Sequence, residues 1–495
     1  MARLLARPGH AAAIGPCVIE IDGGMIRRIR PAAPDDGAPL PVLAMPALAD
    51  AHDHGRGLRS LAIGAADAPL ELWISRLGAE PVVDPYLRAG AAFARLAESG
   101  VCAVNHCHNT QDGRALLEEA RGVARAASAV GIRVGFAVPF AGRNPLVYGD
   151  ERALLTALGP RAQAEAAARR GRTLEEGLAL VERIAELEGP CFSVQYGPVG
   201  PQWVEDGALR AIARASAETG RRVHMHLFET QTQRDWADAR YEGGLVAHLD
   251  RIGLLSDRLT LAHAVWLRPD EAELLAERGV TISLNPSSNL RLRSGLAPAA
   301  LFHRAGLGFG IGLDGMSLDD DDDMLREVRL LRHLANAAQP GSHEEAIPVP
   351  ALLDAAFVTG RRSIVGDDGG GRLQAGAPCD LMLLDLPALA GDVLDPDPDL
   401  IPLLLGRASR RHVRGMMVAG RMVVADGACT GVDRPAIEQA LLSQARDVAA
   451  RVARDPAWQQ AREEGIRRFY AYNHHLLPDP DPEEAKKHHR RDDRR

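Results

Sequence analysis

The sequence predicts an α/β fold: a (β/α)₈ TIM-like barrel with a smaller β-sandwich-like domain built from both chain ends. Three observations predict it. Strand-like and helical segments alternate through the middle of the chain until eight strands have been counted, and such alternation argues for a parallel sheet that closes. β-rich stretches outside that rhythm lie at both ends of it. The 495 residues suffice for a barrel of roughly 250 to 400 residues and a satellite domain.

The elements follow in order. Segments 17–21 and 25–29 flank Asp22-Gly23-Gly24, a hairpin signal. The first barrel strand is expected over 42–51. Asp84 and Pro85 suit an N-cap and first helical residue, and Gly100 suits the end of that helix. Further strands are expected at 101–105, 133–138, 192–196, 223–227, 259–263, 280–284 and 307–313. Helices fill the gaps; Leu209, Ile212 and Ala213 show the spacing of one. A helix over 350–359 leads to Gly369-Gly370-Gly371, then a strand at 381–384 and a hairpin over 416–424. The expected division is 1–45 with 370–430 as a composite β-domain, 46–369 as the barrel, and 431–495 as a helical extension. Its last part, with Pro478 to Pro482 and the mixed charges of 486–495, is expected to fray. His488 and His489 there read as solvated tail residues.

Composition narrows the function classes. Hydrophobic residues at 46% and charged residues at 25% are ordinary for a globular chain. A net charge of −8 without a broad basic face argues against nucleic acid and leaves a small molecule as the expected partner. No apolar run reaches the length of about 18 residues that a membrane helix needs. Pro8 and His10 interrupt the N-terminal segment before signal-peptide length. The six cysteines form no Cys-x-x-Cys pair, so reduced thiols and a cytoplasmic location are expected. A homo-oligomer such as a dimer stays open.

The residues that suggest chemistry are histidines. His52-Asp53-His54 ends the first strand, where residues two apart share a face. Two imidazoles on a rigid strand make half of a metal site. His106/His108 and His224/His226 repeat the pattern, so spacing alone does not choose among the pairs. Leu307, Phe309, Ile311 and Leu313 alternate with Gly308, Gly310 and Gly312. The glycines should face the narrow barrel interior, and Asp314 shares their parity. It should therefore project inward at the strand's C-terminal end, where barrel active sites lie.

The nonapeptide 46–54, PALADAHDH, resembles the strand-one signature of the amidohydrolase superfamily. His226-Leu227-Phe228-Glu229-Thr230 resembles the strand-five motif of its mononuclear deaminase branch (cytosine, guanine and S-adenosylhomocysteine deaminases and chlorohydrolase-like enzymes). Leu261-Ala262-His263, Asn285-Pro286-Ser287-Ser288-Asn289 and Gly312-Leu313-Asp314-Gly315 resemble strands six, seven and eight in the family's order. Downstream, 371–376 and Cys379-Asp380-Leu381 resemble the return into the family's β-domain. The resemblance implies His52, His54, His226 and Asp314 as metal ligands. It implies Glu229 as proton shuttle and His263 as the residue holding the attacked centre or water. It places His224 deeper in the barrel, in a structural role, and His106 and His108 at the mouth, as pocket lining or structure. Binuclear members carry a bridging lysine on strand four, and this strand reads Phe192-Ser193-Val194-Gln195-Tyr196-Gly197-Pro198. One divalent ion per chain is therefore expected, Zn²⁺ first and Fe²⁺ second.

Such an ion lowers the pKa of water from 15.7 to about 7. Asp314 can take the water's proton, Glu229 can protonate a ring nitrogen, and His263 can hold the developing oxyanion. The expected reaction is hydrolytic deamination of an aminated N-heterocycle. Hydrolysis of an amide, urea or carbamate-like C–N bond, or loss of another leaving group, is the alternative; a binding barrel without catalysis is the non-enzyme alternative. Nucleoside-type members carry a histidine after the strand-four Gly-Pro, and Val199 stands there, which favours free bases. The Asp319 to Asp323 run reads as a solvated helix N-terminus, with attraction of a cationic substrate as the other reading. Arg143 and Tyr148 follow the third strand and are left unplaced.

Overall fold

A computed structural model of the chain describes residues 1–142, 146–167, 171–451 and 455–477. The tail expected to fray, with His488 and His489, and Arg143 lie outside the described residues.

Eight parallel strands form one sheet in sequence order. They are β1 (Leu48–Asp53), β2 (Val101–Cys107), β3 (Arg133–Phe140), β4 (Phe192–Pro198), β5 (Val223–Leu227), β6 (Leu259–His263), β7 (Thr281–Leu284) and β8 (Gly308–Ile311). Across the seam between β8 and β1, Asp314 N–H donates to His52 O at 2.8 Å and Leu313 N–H to Asp50 Oδ1 at 3.2 Å. The result is a nearly closed barrel, as the strand rhythm predicts. Glycine parity on β8 also follows the sequence reading. A Cβ at Gly310 would stand 2.8 Å from Ala51 Cβ, and one at Gly312 would stand 2.8 Å from His52 O. The helix Pro85–Glu98 begins as expected, with Asp84 accepting from the N–H groups of Tyr86 and Leu87. The helix Asp206–Thr219 buries Leu209, Ile212 and Ala213 on its inner face. Burial of Leu209 and of Ile212 is worth about 1.5–3 kcal/mol each.

The segment expected as one strand over 42–51 is two. Val42–Pro46 pairs antiparallel with Leu381–Asp385, and β1 begins only after Ala47, whose N–H donates to Asp380 O. Proline at position 46 ends the first ladder, and the chain crosses from one sheet to the other. The six-stranded sheet draws on both chain ends: Arg3–Leu4, Val42–Pro46, Leu381–Asp385, Val413–Val418, Arg421–Ala425 and Ala428–Cys429, in that spatial order. The expected hairpin forms its own two-stranded sheet, Cys17–Asp22 with Met25–Pro31. Leu4, Cys17, Ile26, Ala44, Leu373 and Leu381 share a small core between the two sheets.

The barrel is closed below and covered above. The helix expected over 350–359 is a longer helical run: Val349–Asp354, a π-helical turn Ala355–Thr359, and Gly360–Val365. From its end, Ser363 O and Ile364 O accept hydrogen bonds from Asn105 and Gln195 inside the barrel. At the other end, the helix Leu70–Leu77 after β1 and the helix Pro456–Ala471 of the C-terminal extension meet over the strand ends. Their core contains Leu72, Trp73, Val147, Leu292, Met316, Ile466 and Phe469. No helix among the described residues is long and apolar enough to cross a membrane.

Candidate active site

Every residue expected at the site lies at or just beyond the C-terminal end of a barrel strand, and all are buried except the partly exposed His226. His52 and His54 come from β1, His226 from β5 with Glu229 two residues past its end, His263 from β6, and Asp314 shortly after β8. The chain turns sharply at several of these ends. Phe228, His263, Ala264 and Asp314 have φ of 47°, 74°, 48° and 58°, a region that non-glycine residues seldom occupy without a functional reason. On β1 the register against β2 shifts between Asp50 and Asp53. Ala51 already faces the interior, and the bulge lets His52 face it as well.

Each of three imidazoles has one nitrogen committed elsewhere. His54 Nδ1 lies 2.8 Å from Cys107 O, His226 Nδ1 lies 2.6 Å from Val199 O, and His52 Nδ1 lies 2.7 Å from His224 Nε2. Donation by Nδ1 leaves Nε2 with a lone pair toward the common interior, an arrangement typical of metal-ligating histidine. The ligand atoms of His52, His54 and His226 lie within 4.8 Å of one another. Asp314 Oδ1 is 3.1 Å from both His52 Nε2 and His54 Nε2. Four ligands at about 2.1 Å from one ion would be about 3.4 Å apart, so these separations fit a shared cation. His52 Nε2 is buried and makes no hydrogen bond of acceptable geometry, a vacancy in hydrogen bonding that a cation would satisfy.

Electrostatics agrees with the geometry. Burial lowers the pKa of His52 and His226, and burial together with Arg56 takes His54 down to about 3. All three are neutral at neutral pH, as metal binding would require. Burial alone would raise Asp314, but His52 and His54 beside it hold its carboxyl well below the usual range. Its other oxygen accepts from Ser288 Oγ at 2.5 Å. Burial lifts Glu229 to about 7, with His263 opposing and Asp314 reinforcing the shift. Glu229 Oε2 faces His263 Nε2 at 3.7 Å, and Asp314 Oδ2 lies 3.9 Å from the same nitrogen. On the far side of that ring, His263 Nδ1 is 3.0 Å from Asn289 Oδ1.

The competing histidines separate cleanly. His224 stands behind His52 and orients it. His106 Nε2 is 3.0 Å from His108 Nδ1, and His108 Nε2 is 2.7 Å from Glu119 Oε2. Glu119 also accepts from the N–H groups of Gln111 and Asp112, so this relay ends in the loop after β2, away from the Nε2 cluster. Cys107 Sγ approaches His52 and His224, but burial pushes its thiol up to about 12, and a protonated thiol is a poor ligand. The acidic run is taken up by arginines: Asp322 pairs with Arg59 and Arg95, Asp320 with Arg291, and Asp321 with Arg326. Asp323 caps the helix Met324–Ala337.

Sequence reasoning missed several supporting residues. Asp53 joins two strand ends, its carboxylate accepting from Gly55 N–H at 2.5 Å and Gly315 N–H at 2.7 Å. Glu327 accepts from Ser287 N–H and Oγ at 2.7 and 2.5 Å, which fixes the turn carrying Ser288 and Asn289. Tyr148 is now placed: Gln233 donates to its hydroxyl, the hydroxyl donates to Glu71, and Gln233 Oε1 accepts from Glu229 N–H. Asp53, between the paired histidines, was the one signal open to inspection; the others depend on contacts distant in sequence.

Comparison with known proteins bears on the same strands. The model of the amidohydrolase family matches residues 43–423. A 5'-deoxyadenosine deaminase from Methanopyrus kandleri is 29% identical over 418 residues, covering 82% of this chain and 85% of the relative. A 5-methylthioadenosine/S-adenosylhomocysteine deaminase from Nitratidesulfovibrio vulgaris is 30% identical over 421 residues, covering 82% and 84%. The crystal structure of an adenosine deaminase from Xanthomonas campestris with bound zinc superposes with a TM-score of 0.73 at 25% identity, covering 91% of this chain and 98% of that one.

Proposed function

The chain belongs to the amidohydrolase family, and from that premise we propose that it is a metal-dependent hydrolase that deaminates an aminated N-heterocycle. One observation carries the reading: a buried carboxyl held near neutrality, Glu229, faces His263 beside a cluster of three Nε2 atoms and Asp314. The named relatives, all deaminases of adenine nucleosides, support the reaction class.

His52, His54, His226 and Asp314 would hold one divalent cation, Zn²⁺ in the first place and Fe²⁺ in the second. When bound, the cation supplies Lewis acidity that makes water a nucleophile near neutral pH. Asp314, with Oδ2 steadied by Ser288, takes the proton of the attacking water. Glu229 delivers its proton to the ring nitrogen next to the attacked carbon, takes up the hydroxyl proton of the tetrahedral carbon, and passes it to the amine, which departs as ammonia. Its carboxyl is tuned to about 7, near the operating pH that positioned acid–base work favours. His263, whose Nδ1 accepts from Asn285 Nδ2 at 3.2 Å, donates from Nε2 to the oxygen that becomes the new carbonyl. The lining residues other than His226 are buried, which limits competition from bulk water. Val199 stands after Gly197-Pro198, where nucleoside-type members carry a histidine, and this supports a base without ribose as substrate. A cytoplasmic location suits a small-molecule enzyme of this kind.

Elemental analysis and metal reconstitution test the proposal. Protein purified without chelator should carry about one Zn²⁺ or Fe²⁺ per chain. Stripping the metal should abolish ammonia release from amino-heterocycles, and one equivalent should restore it. Two ions per chain, or turnover without any, would overturn the single-ion reading.

A further inference from the structure

Six arginines among the described residues are buried: Arg56, Arg88, Arg95, Arg234, Arg291 and Arg361. Five of them face a carboxylate at ion-pair distance: Glu80, Asp322, Glu271, Asp320 and Asp380 respectively. Arg56 does not. It is 5% exposed, its Nη2 donates to the neutral side chain of Asn109 at 2.9 Å, and its Nε and Nη1 have no partner. A buried guanidinium normally costs several kcal/mol unless paired, so the exception needs a reason.

Its position supplies one. Arg56 lies two residues past His54, and its Nη1 is 3.9 Å from where a Cβ on Gly315 would stand, directly after Asp314. The guanidinium carbon sits 5.1 Å from the centre of the Trp73 ring on the covering helix Leu70–Leu77. The backbone is pinned, since Arg56 O accepts from Arg95 at 3.0 Å. The free donors are therefore held on the rim of the site, between the ends of β1 and β8 and beneath the cover.

We propose that Arg56 is a specificity-determining residue that receives an anionic oxygen of the substrate, so that the enzyme acts on an amino-heterocycle bearing a carboxylate. The inference rests on the deamination reading for the heterocycle, and on the unpaired, buried guanidinium for the carboxylate. A carboxylate there would meet the donors on Nε and Nη1 and neutralise the charge, while Trp73 offers a flat face beside it. Neutral bases would leave Nε and Nη1 without an anionic acceptor.

A binding experiment tests this independently of turnover. The zinc-loaded full chain is examined by thermal shift with nicotinate beside nicotinamide, 5-carboxycytosine beside cytosine, and 5-carboxyuracil beside uracil. In at least one pair the acid should stabilise the protein at about tenfold lower concentration than its neutral partner, the worth of one charge-assisted contact. Arg56→Met should erase that difference without lowering the melting temperature of the ligand-free protein, because it removes an unpaired buried charge. Arg56→Lys should keep part of the preference. The proposal is overturned if no pair prefers the acid, or if the preference survives Arg56→Met, which would assign the carboxylate to the metal. A lower melting temperature in Arg56→Met with unchanged preference would assign the arginine to structure alone. Failure of 5-carboxycytosine, the carboxylated ring amine of the set, to release ammonia while an Arg56-dependent preference persists would count against the deamination reading and leave the anion subsite standing.

Discussion

Glu229 and the two histidines of β5 separate chemistry from support at the level of single side chains. Glu229→Gln keeps size and removes the titrating proton, so turnover should fall at least about a hundredfold while metal content stays near that of the unaltered protein. Retained turnover in that variant would remove Glu229 from the mechanism. His226 offers Nε2 to the interior, whereas His224 spends its Nε2 on His52. His226→Ala should therefore lose metal and activity together, and His224→Ala should weaken metal affinity by about 10–100-fold, as loss of an orienting partner does. Metal titration of the two variants checks this; equal loss in both would contradict the assignment. These positions were legible through motifs that resemble the amidohydrolase family; strand parity by itself turned Asp314 inward and did not choose among the three histidine pairs. The orienting partners were not legible, since His224 behind His52 and Asn289 behind His263 are meetings between distant strands.

Elements were legible wherever hydrophobic alternation and turn residues agreed, as in β5, β6 and the helix Pro85–Glu98. The reading failed over 42–51, where an unbroken apolar run hides a change of sheet at Pro46. Strand β8 shows why parity mattered: a Cβ on Gly312 would stand 2.5 Å from Asn285 Oδ1 and 2.7 Å from Ser283 Oγ. Gly312→Ala should cost about 1–3 kcal/mol and loosen metal retention, because Asn285 also contacts His263 and His52 O, 2.8 Å from the same Cβ, accepts from Asp314 N–H. Thermal unfolding with and without chelator measures both effects. The turn after β7 adds a pH dependence through Glu327, which burial raises from 4.5 to about 7 against the hydrogen bonds from Ser287. The folded protein therefore holds this proton more tightly than the unfolded chain does. Its contribution to stability is full below about pH 4.5 and is lost as pH rises through about 7. Glu327→Gln removes the titration, so melting temperatures at pH 5 and pH 8 should differ less than in the unaltered protein. An unchanged difference would place the titration elsewhere.

In the whole molecule, the barrel supplies a rigid rim and the C-terminal extension covers it. Ile466 and Phe469 pack with Trp73, Leu292 and Met316, and the last two lie just beyond the turns that carry Asn289 and Asp314. Phe469→Ala should cost about 3–5 kcal/mol and raise KM more than it lowers kcat, since the cover touches the substrate turns and not the reacting atoms. Steady-state kinetics beside a melting curve would show this, and a pure kcat effect would contradict it. The extension's helical character was legible in sequence, but its seat over the mouth was not, because nothing in its polar pattern names the surface it meets. Barrel, metal-site geometry and buried Glu229 converge on one reaction, the exchange of a ring amine for oxygen. Product mass and ammonia, measured together on a panel of amino-heterocycles, test it most directly. The account predicts one ammonia released per heterocycle consumed and a product one mass unit heavier, as NH₂ becomes OH. Cleavage into two organic fragments without ammonia, and no amino-heterocycle converted, would contradict it.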